Sequence, residues 1–191
     1  MISFRSQFAH SEDILSPSHG VDKSVTLLMQ RLPLGASIFD IGAWEGRNSI
    51  PLAQAGYQIM VADKKLTKLR SEAILQNIHL QYYEGDITKY IFDQTYDAFV
   101  CMRVLHFLSP HDAHMLLESM KINTHFGWYH ALTFFLEETP HDKKYFFPSV
   151  EEITQIYYDW QLIEISPKII SEPSVSTNWR PMTSISCLFQ K

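Results

Sequence analysis

The chain of 191 residues is long enough for one domain with a sizeable core, and 46% of its residues are hydrophobic. Its formal net charge of −5 argues against nucleic-acid binding through a broad basic surface. We expect no signal peptide, because residues 1–10 lack a basic region followed by an apolar core. No apolar run reaches the roughly 20 residues of a membrane-spanning helix. Cys101 and Cys187 are too few for a disulfide framework and are expected to be buried thiols. We therefore expect a single cytoplasmic domain over 1–191, with 1–17 as an N-terminal extension.

Strand-like and helix-like segments alternate along the chain, which is typical of an α/β fold with a parallel sheet. The predicted helices cover residues 18–32, 48–55, 66–76, 110–122 and 150–158. The predicted strands cover residues 37–41, 57–62, 80–83, 96–102, 129–136, 160–165 and 183–189. Ser109 and Ser149 are predicted to cap the last two helices, because each is followed three residues later by an acid.

Chemistry-bearing residues follow four consecutive predicted strands. They are Asp40 with the Gly42–Gly46 loop, Asp63, Asp86, and the stretch Met102–His106. In an open parallel sheet these strand ends meet at one edge, where ligands bind near the switch point. Glycines let the backbone approach a ligand, and the following helix N-terminus offers N–H groups. Asp63 falls near the roughly 20-residue spacing of an acid that accepts ribose hydroxyls. Asp86 is able to accept a hydrogen bond from an adenine amino group.

Several segments carry a specific resemblance. They are 39–57 (FDIGAWEGRNSIPLAQAGY), Asp63, 82–87 (YYEGDI), 96–108 (YDAFVCMRVLHFL), 128–138 (WYHALTFFLEE) and 183–191 (TSISCLFQK). Over residues 18–191 the chain resembles class I S-adenosylmethionine-dependent methyltransferases, most closely the TehB-like tellurite-resistance family. This resemblance implies a Rossmann-like methyltransferase fold, which is a single doubly wound, mostly parallel seven-stranded sheet with helices on both faces and the last strand antiparallel.

The resemblance also implies S-adenosyl-L-methionine as the cofactor and a small-molecule acceptor as the partner. From the net charge and the apolar pattern we expect neither a nucleic acid nor a membrane as a partner. The candidate cofactor residues are Asp40, Gly42, Ala43, Trp44, Gly46, Asp63, Lys64, Asp86, Ile87 and Met102. Methyl transfer is an in-line displacement that needs positioning, and it needs a general base only if the acceptor must lose a proton. Arg103 and His106, just past the fourth strand, and Arg180, which matches a family arginine, are the catalytic candidates. Together they would suit an oxyanionic acceptor, while a thiol also stays open.

Two positions depart from the family pattern, with Trp44 in place of a glycine and Gly127–Trp128 in place of two glycines. We expect the Trp44 indole to face away from the donor and to pack against the following helix or the long loops. An alternative hypothesis, based on Trp44, is a protein that keeps the fold and cofactor site as a sensor or scaffold without turnover. A nicotinamide-dependent oxidoreductase is disfavoured, because the loop lacks Gly-x-Gly-x-x-Gly spacing and no Tyr-x-x-x-Lys pair is found at a helix.

Two further groups of side chains are candidates for a functional site, namely a pair of histidines and a set of aromatic residues. His111 and His114 share a helical face, but no cysteine or acid completes a set of ligands by spacing, so no metal site is predicted. Five aromatic residues are candidates to line an acceptor pocket, although core packing is the expected role of the first two. They are Phe134, Phe135, Tyr145, Phe146 and Phe147.

Overall fold

A computed structural model describes residues 21–136, 146–170 and 182–191. The strands in these ranges are β1 (Ser37–Ile41), β2 (Gln58–Asp63), β3 (Gln81–Glu84), β4 (Tyr96–Met102), β5 (Thr124–Phe135), β6 (Gln161–Ile170) and β7 (Met182–Gln190). The α-helices are α1 (Lys23–Met29), α2 (Ser49–Gln54), α3 (Thr67–Leu75), α4 (Pro110–Ile122) and α5 (Val150–Ile156). No helix in the described ranges is long and apolar enough to cross a membrane.

The strands form one seven-stranded sheet in the order β3-β2-β1-β4-β5-β7-β6. β1 pairs in parallel with both β2 and β4, so the strand order reverses beside β1 and creates a switch point there. β7 lies between β5 and β6 and is antiparallel to both of them. The predicted seven-stranded, mostly parallel sheet with an antiparallel last strand is confirmed.

Alternate residues of a strand point to opposite faces of the sheet, and here the residues on both faces are apolar. Helices therefore cover both faces. Ile38 of β1 belongs to the core under α1, α2 and α3, where Leu28, Leu52 and Leu69 are fully buried. Its neighbour Phe39 belongs to the opposite core, under α4 and α5. Two apolar layers therefore hold the sheet rigid and fix the positions of its strand ends.

Most predicted element boundaries are confirmed to within a few residues, and the differences have local causes. Ser109 and Ser149 accept the backbone N–H groups of Asp112 and Glu152, as the capping pattern predicts. β5 begins at Thr124 instead of residue 129, because Gly127 takes a positive φ of 88° and lets the strand continue through an irregularity. β6 continues to residue 170, past the predicted end at 165. Of the predicted helix 18–32, residues 18–20 lie outside the described residues, and α1 covers Lys23–Met29 of the rest.

A buried relay of hydrogen bonds crosses the core under α4 and α5. The Thr124 hydroxyl donates to the carbonyl of Met120 at 2.7 Å, so its oxygen is left to accept from His130 Nε2–H at 2.6 Å. His130 Nδ1 then accepts from the Tyr157 hydroxyl at 2.7 Å. The network thereby assigns the neutral Nε2–H tautomer, and burial lowers the pKa of His130 well below its usual value.

We expect Tyr157→Phe to lower the free energy of unfolding by about 1–3 kcal/mol, because His130 Nδ1 would lose its buried donor. Urea unfolding at neutral pH measures this difference. Tyr158→Phe is the matched control, since its exposed side chain should contribute less than about 0.5 kcal/mol. Equal stability of the two variants would contradict the assigned relay.

Candidate active site

The loop between β1 and α2 is pinned against the ends of two other strands. The N–H groups of Gly42 and Ala43 both donate to the carbonyl of Ala62, at 2.8 and 3.2 Å. Gly42 has a φ of +73°, and a Cβ placed there would lie 2.3 Å from Val104 Cγ2 in the segment after β4. Only glycine fits this position, in conformation and in space. The close approach joins the predicted donor loop to the predicted acceptor side of the sheet edge.

Asp63 ends β2 and faces this loop. Its Oδ2 accepts the backbone N–H of Trp44 at 2.8 Å, and its Oδ1 accepts the N–H of Lys65 at 3.3 Å. The side chain is partly exposed, as is that of the neighbouring Lys64, which is more open to solvent. Because each carboxylate oxygen can accept more than one hydrogen bond, Asp63 keeps the capacity to hold a pair of hydroxyls.

Asp86 lies at the same edge, since the N–H of Gly85 donates to the Asp63 carbonyl at 2.9 Å. Its Oδ1 accepts both the N–H and the hydroxyl of Thr88, at 3.1 and 2.9 Å. These bonds hold the pKa of Asp86 below its usual value, so the side chain is ionised at neutral pH. Asp86 thus caps the 3₁₀ turn Ile87–Lys89, a local role that the sequence analysis did not anticipate.

Asp40 is the buried carboxyl of the site, with only 2% of its surface exposed. Burial raises its pKa to about 7, although a hydrogen bond from the Ser49 hydroxyl opposes the shift. The charges of Asp22 and Asp63 raise the pKa further, and that of Arg47 lowers it. Asp40 therefore changes its charge in the neutral pH range.

A polar clamp, consisting of Asp22, Arg47 and Asn48, ties α1 to the end of the donor loop. Arg47 Nη2 lies 2.5 Å from Asp22 Oδ2, and Asn48 Nδ2 lies 3.4 Å from the same oxygen. The N–H of Asp22 donates in return to Asn48 Oδ1 at 3.2 Å. No role was predicted for these three residues, although the Gly-Arg-Asn-Ser stretch after the loop was a signal that could have identified two of them.

Met102 and Arg103 stand where β4 ends. The Met102 side chain is buried, and its sulfur accepts the Thr133 hydroxyl at 3.0 Å. Arg103 has a φ of +60°, and its N–H donates to the Thr133 carbonyl at 2.8 Å. The chain then forms a 3₁₀ turn over Leu105–Phe107, which contacts β5. The predicted catalytic residue Arg180 lies outside the described residues.

His106 is surrounded by aromatic rings. Its ring centroid lies 4.0 Å from that of Phe107, 4.7 Å from that of Phe135 and 6.2 Å from that of Phe147. Within the part of the chain that the structure describes, His106 Nδ1 is buried and has no hydrogen-bond partner. Burial, followed by the charge of Arg103, lowers the pKa of His106 to about 4. The imidazole is therefore neutral throughout the physiological pH range.

Four of the five aromatic candidates for an acceptor pocket lie in the described residues. Phe134, Phe135 and Phe146 are buried in the core, as expected for the first two. Phe135 and Phe147 also contact the ring of His106, and Tyr145 lies outside the described residues. In the described ranges, no three side chains of metal-ligating type stand close enough to hold a metal ion.

Trp44 does not pack as expected. Its side chain is 66% exposed, and its backbone adopts a left-handed φ of +48°. The expectation of an indole packed against the following helix is therefore wrong. The physical reason is the pinned loop, since the bond from Trp44 N–H to Asp63 fixes the backbone in a turn that leaves the indole in solvent.

We expect Trp44→Gly to change the free energy of unfolding by less than about 1 kcal/mol. Relief of the left-handed strain, worth about 1–2 kcal/mol, offsets the greater entropy of glycine in the unfolded chain. The control is Trp44→Ala, which removes the indole but keeps the strain and should be the less stable variant in urea unfolding. A loss of more than 2 kcal/mol in the glycine variant would mean that the indole packs after all.

The family model that matches residues 7–171 is described as Tellurite resistance protein TehB. The chain belongs to the TehB family. A relative from Haemophilus influenzae strain Rd, named probable S-adenosyl-L-methionine-dependent methyltransferase TehB, is 25% identical over 133 residues, covering 66% of this chain and 46% of the relative. The chain thus spans about half the length of the curated relatives that it matches.

Solved structures support the same fold. The crystal structure of TehB from Haemophilus influenzae superposes with a TM-score of 0.78 at 21% identity, covering 90% of this chain and 62% of that one. The N-methyltransferase NodS from Bradyrhizobium japonicum, solved with S-adenosyl-L-homocysteine, gives a TM-score of 0.69 at 14% identity, covering 87% of this chain and 83% of NodS. The Rossmann-like methyltransferase fold expected from the sequence is confirmed.

Proposed function

We propose that this TehB-family chain transfers a methyl group from S-adenosyl-L-methionine to a small-molecule acceptor. The observation that carries the proposal is the meeting of the pinned Gly42 loop with Asp63 and Asp86 at the carboxyl ends of β1, β2 and β3. This edge adjoins the switch point, where nucleoside-containing ligands bind in open α/β sheets. The names of the relatives point to the same reaction.

The residues present fit this donor. Its two ribose hydroxyls suit the carboxylate of Asp63, and its adenine amino group suits Asp86, with Ile87 as an apolar neighbour. Asp40 is assigned to loop N–H groups or to the donor's amino group. The other proposed lining residues are Gly42, Ala43, Trp44, Gly46, Lys64 and Met102. The donor supplies a methyl group activated by its sulfonium, and the chain supplies orientation and a polar edge.

On the acceptor side we assign Arg103, His106 and Arg180. A histidine whose pKa lies near 4 is a weak base at neutral pH, so His106 is suited to hold an acceptor by a hydrogen bond and not to remove its proton. The acceptor must therefore bind in a form that is already nucleophilic, such as an oxyanion or a thiolate. The positive charge of Arg103 favours an anion for the same reason.

The second candidate function is a sensor or scaffold that binds the cofactor without turnover. The observation that favours it is Trp44, a large side chain on the donor loop where the family has glycine. It shares the donor site with the first proposal and differs only in the transfer step. Turnover, and not binding, separates the two.

The deciding experiment is calorimetric titration of the chain with S-adenosylmethionine, S-adenosylhomocysteine and NAD, followed by turnover assays with tellurite, selenite and a small thiol. Binding of the first two ligands alone, together with S-adenosylhomocysteine formation that depends on an acceptor, is the expected result. Binding without turnover on any acceptor would favour the sensor. Binding of NAD alone would overturn both candidates.

A further inference from the structure

Trp44 keeps a conformation that a glycine would adopt at no steric cost. A left-handed φ is rare for a bulky side chain and costs free energy. The conformation is imposed from outside, because Trp44 N–H is held by Asp63 and the preceding N–H groups of Gly42 and Ala43 are held by Ala62. The fold therefore explains the backbone at this position and leaves the choice of tryptophan unexplained.

Packing does not explain the side chain either. Two thirds of its surface is open to solvent, so the indole gains little of the burial that normally stabilises a large aromatic residue. Strained, exposed residues of this kind cluster at ligand sites, where a bound molecule supplies the missing contacts. The neighbouring Glu45 pairs with Lys68 at 2.5 Å, so the adjacent charges are matched to each other.

The position of Trp44 indicates which ligand surface it can reach. Its N–H lies 2.8 Å from Asp63 Oδ2, so the Cα of Trp44 stands directly beside the carboxylate assigned to the ribose. An indole is long enough to extend from there over a ribose and the purine attached to it. Its flat apolar face suits the carbon face of a sugar or a purine ring, while the carboxylate suits the hydroxyls.

We infer that Trp44 is a donor-binding side chain whose indole covers the nucleoside of the bound methyl donor, opposite the hydroxyls that Asp63 accepts. The inference rests on the proposed function, because it takes the S-adenosyl group as the ligand of this edge. It makes Trp44 a specificity determinant for nucleoside ligands in this chain, in place of the open glycine turn of the family.

Calorimetry with S-adenosylhomocysteine tests the contact in Trp44→Ala, Trp44→Phe and the parent. Alanine is expected to weaken binding about tenfold, as it does for aromatic residues that stack on bases, and phenylalanine to keep affinity within about threefold of the parent. Phe126→Ala removes another exposed aromatic residue, near the start of β5 and so at the opposite edge of the sheet, and is expected to bind like the parent. Trp44→Ala should also bind adenosine more weakly than the parent does, but it should bind methionine with the parent's affinity.

A second measurement reads the indole directly. Addition of S-adenosylhomocysteine should shift the tryptophan emission of the parent to shorter wavelength, because an exposed indole becomes covered, and the shift should be lost in Trp44→Phe. Unchanged affinity in Trp44→Ala, tighter binding in that variant, or a loss confined to methionine would overturn the inference. If the parent itself fails to bind S-adenosylhomocysteine, the proposed function fails instead.

Discussion

Replacing Asp63 with alanine is expected to weaken the binding of S-adenosylhomocysteine by about ten- to a hundredfold. The basis is the loss of charge-assisted hydrogen bonds to two hydroxyls, worth about 1.5–3 kcal/mol. The variant also frees the N–H of Trp44, which Asp63 holds at 2.8 Å. Binding and loop order should therefore fall together, and titration calorimetry at constant salt measures the change.

Glu45→Gln is the matched control for Asp63→Ala. Glu45 is an acid of the same loop, but it pairs with Lys68 at the surface, so removing its charge should alter donor affinity by less than about twofold. Asp63→Asn removes the negative charge but keeps the shape of the side chain and an oxygen that can accept the Trp44 N–H. This variant therefore separates the effect of the charge on donor affinity from that of the loop contact. An alanine variant with the parent's dissociation constant would show that Asp63 serves only to hold the loop.

The helix starts and the order of the strands could be predicted, because they depend on residues that lie close together in the sequence. Ser109 and Ser149 each act within one helical turn, so the pattern of serine and acid was sufficient to locate two helix starts. Asp40 is the last residue but one of β1 and Asp63 ends β2, and parallel pairing brings such strand ends to one edge whatever the helices do. The order of elements therefore predicted which residues would meet there.

The contacts that were not predicted depend on packing between distant segments. Asp22 meets Arg47 across 25 positions, and no spacing rule in one sequence predicts such a pair. The exposure of Trp44 accompanies the hydrogen bond from its N–H to Asp63, which fixes a turn that leaves the indole in solvent. Likewise, burial, followed by the charge of Arg103, lowers the pKa of His106. Two of the rings that pack on this histidine, Phe135 of β5 and Phe147 before α5, come from segments distant in sequence.

Buried ionisable groups give this chain two opposing responses to pH. Burial disfavours the charged form of both Asp40 and His130. Asp40 is charged at high pH, whereas His130 is charged at low pH. For His130, whose folded pKa is lowered, stability falls as pH drops below the ordinary histidine value near 6.5. For Asp40, whose folded pKa is raised, stability falls as pH rises. A comparison of variant and parent at each pH isolates one group from the other.

Asp40→Asn is expected to become more stable relative to the parent as pH rises. The unfolded chain loses the Asp40 proton near pH 3.8 and the folded chain near pH 7, so between these values the folded state binds more protons and the parent loses stability. The full difference is on the order of 4 kcal/mol, reached above pH 7, because each pKa unit corresponds to about 1.4 kcal/mol. Asparagine carries no charge to desolvate and should lack this loss.

Urea unfolding of Asp40→Asn and the parent, in steps from pH 4 to pH 9, measures this difference. A rise confined to the window between about pH 4 and pH 7, with no further change above it, supports the buried carboxyl. In donor titrations at pH 8 the asparagine variant should bind S-adenosylmethionine more weakly yet turn over normally at saturating donor, because the role proposed for Asp40 is to position the donor and not to contact the acceptor. Abolished turnover with intact affinity would place Asp40 in the transfer step itself. A difference in stability that does not change with pH would mean that Asp40 keeps its ordinary pKa in the folded chain, stabilised by Ser49 and Arg47 in spite of its burial.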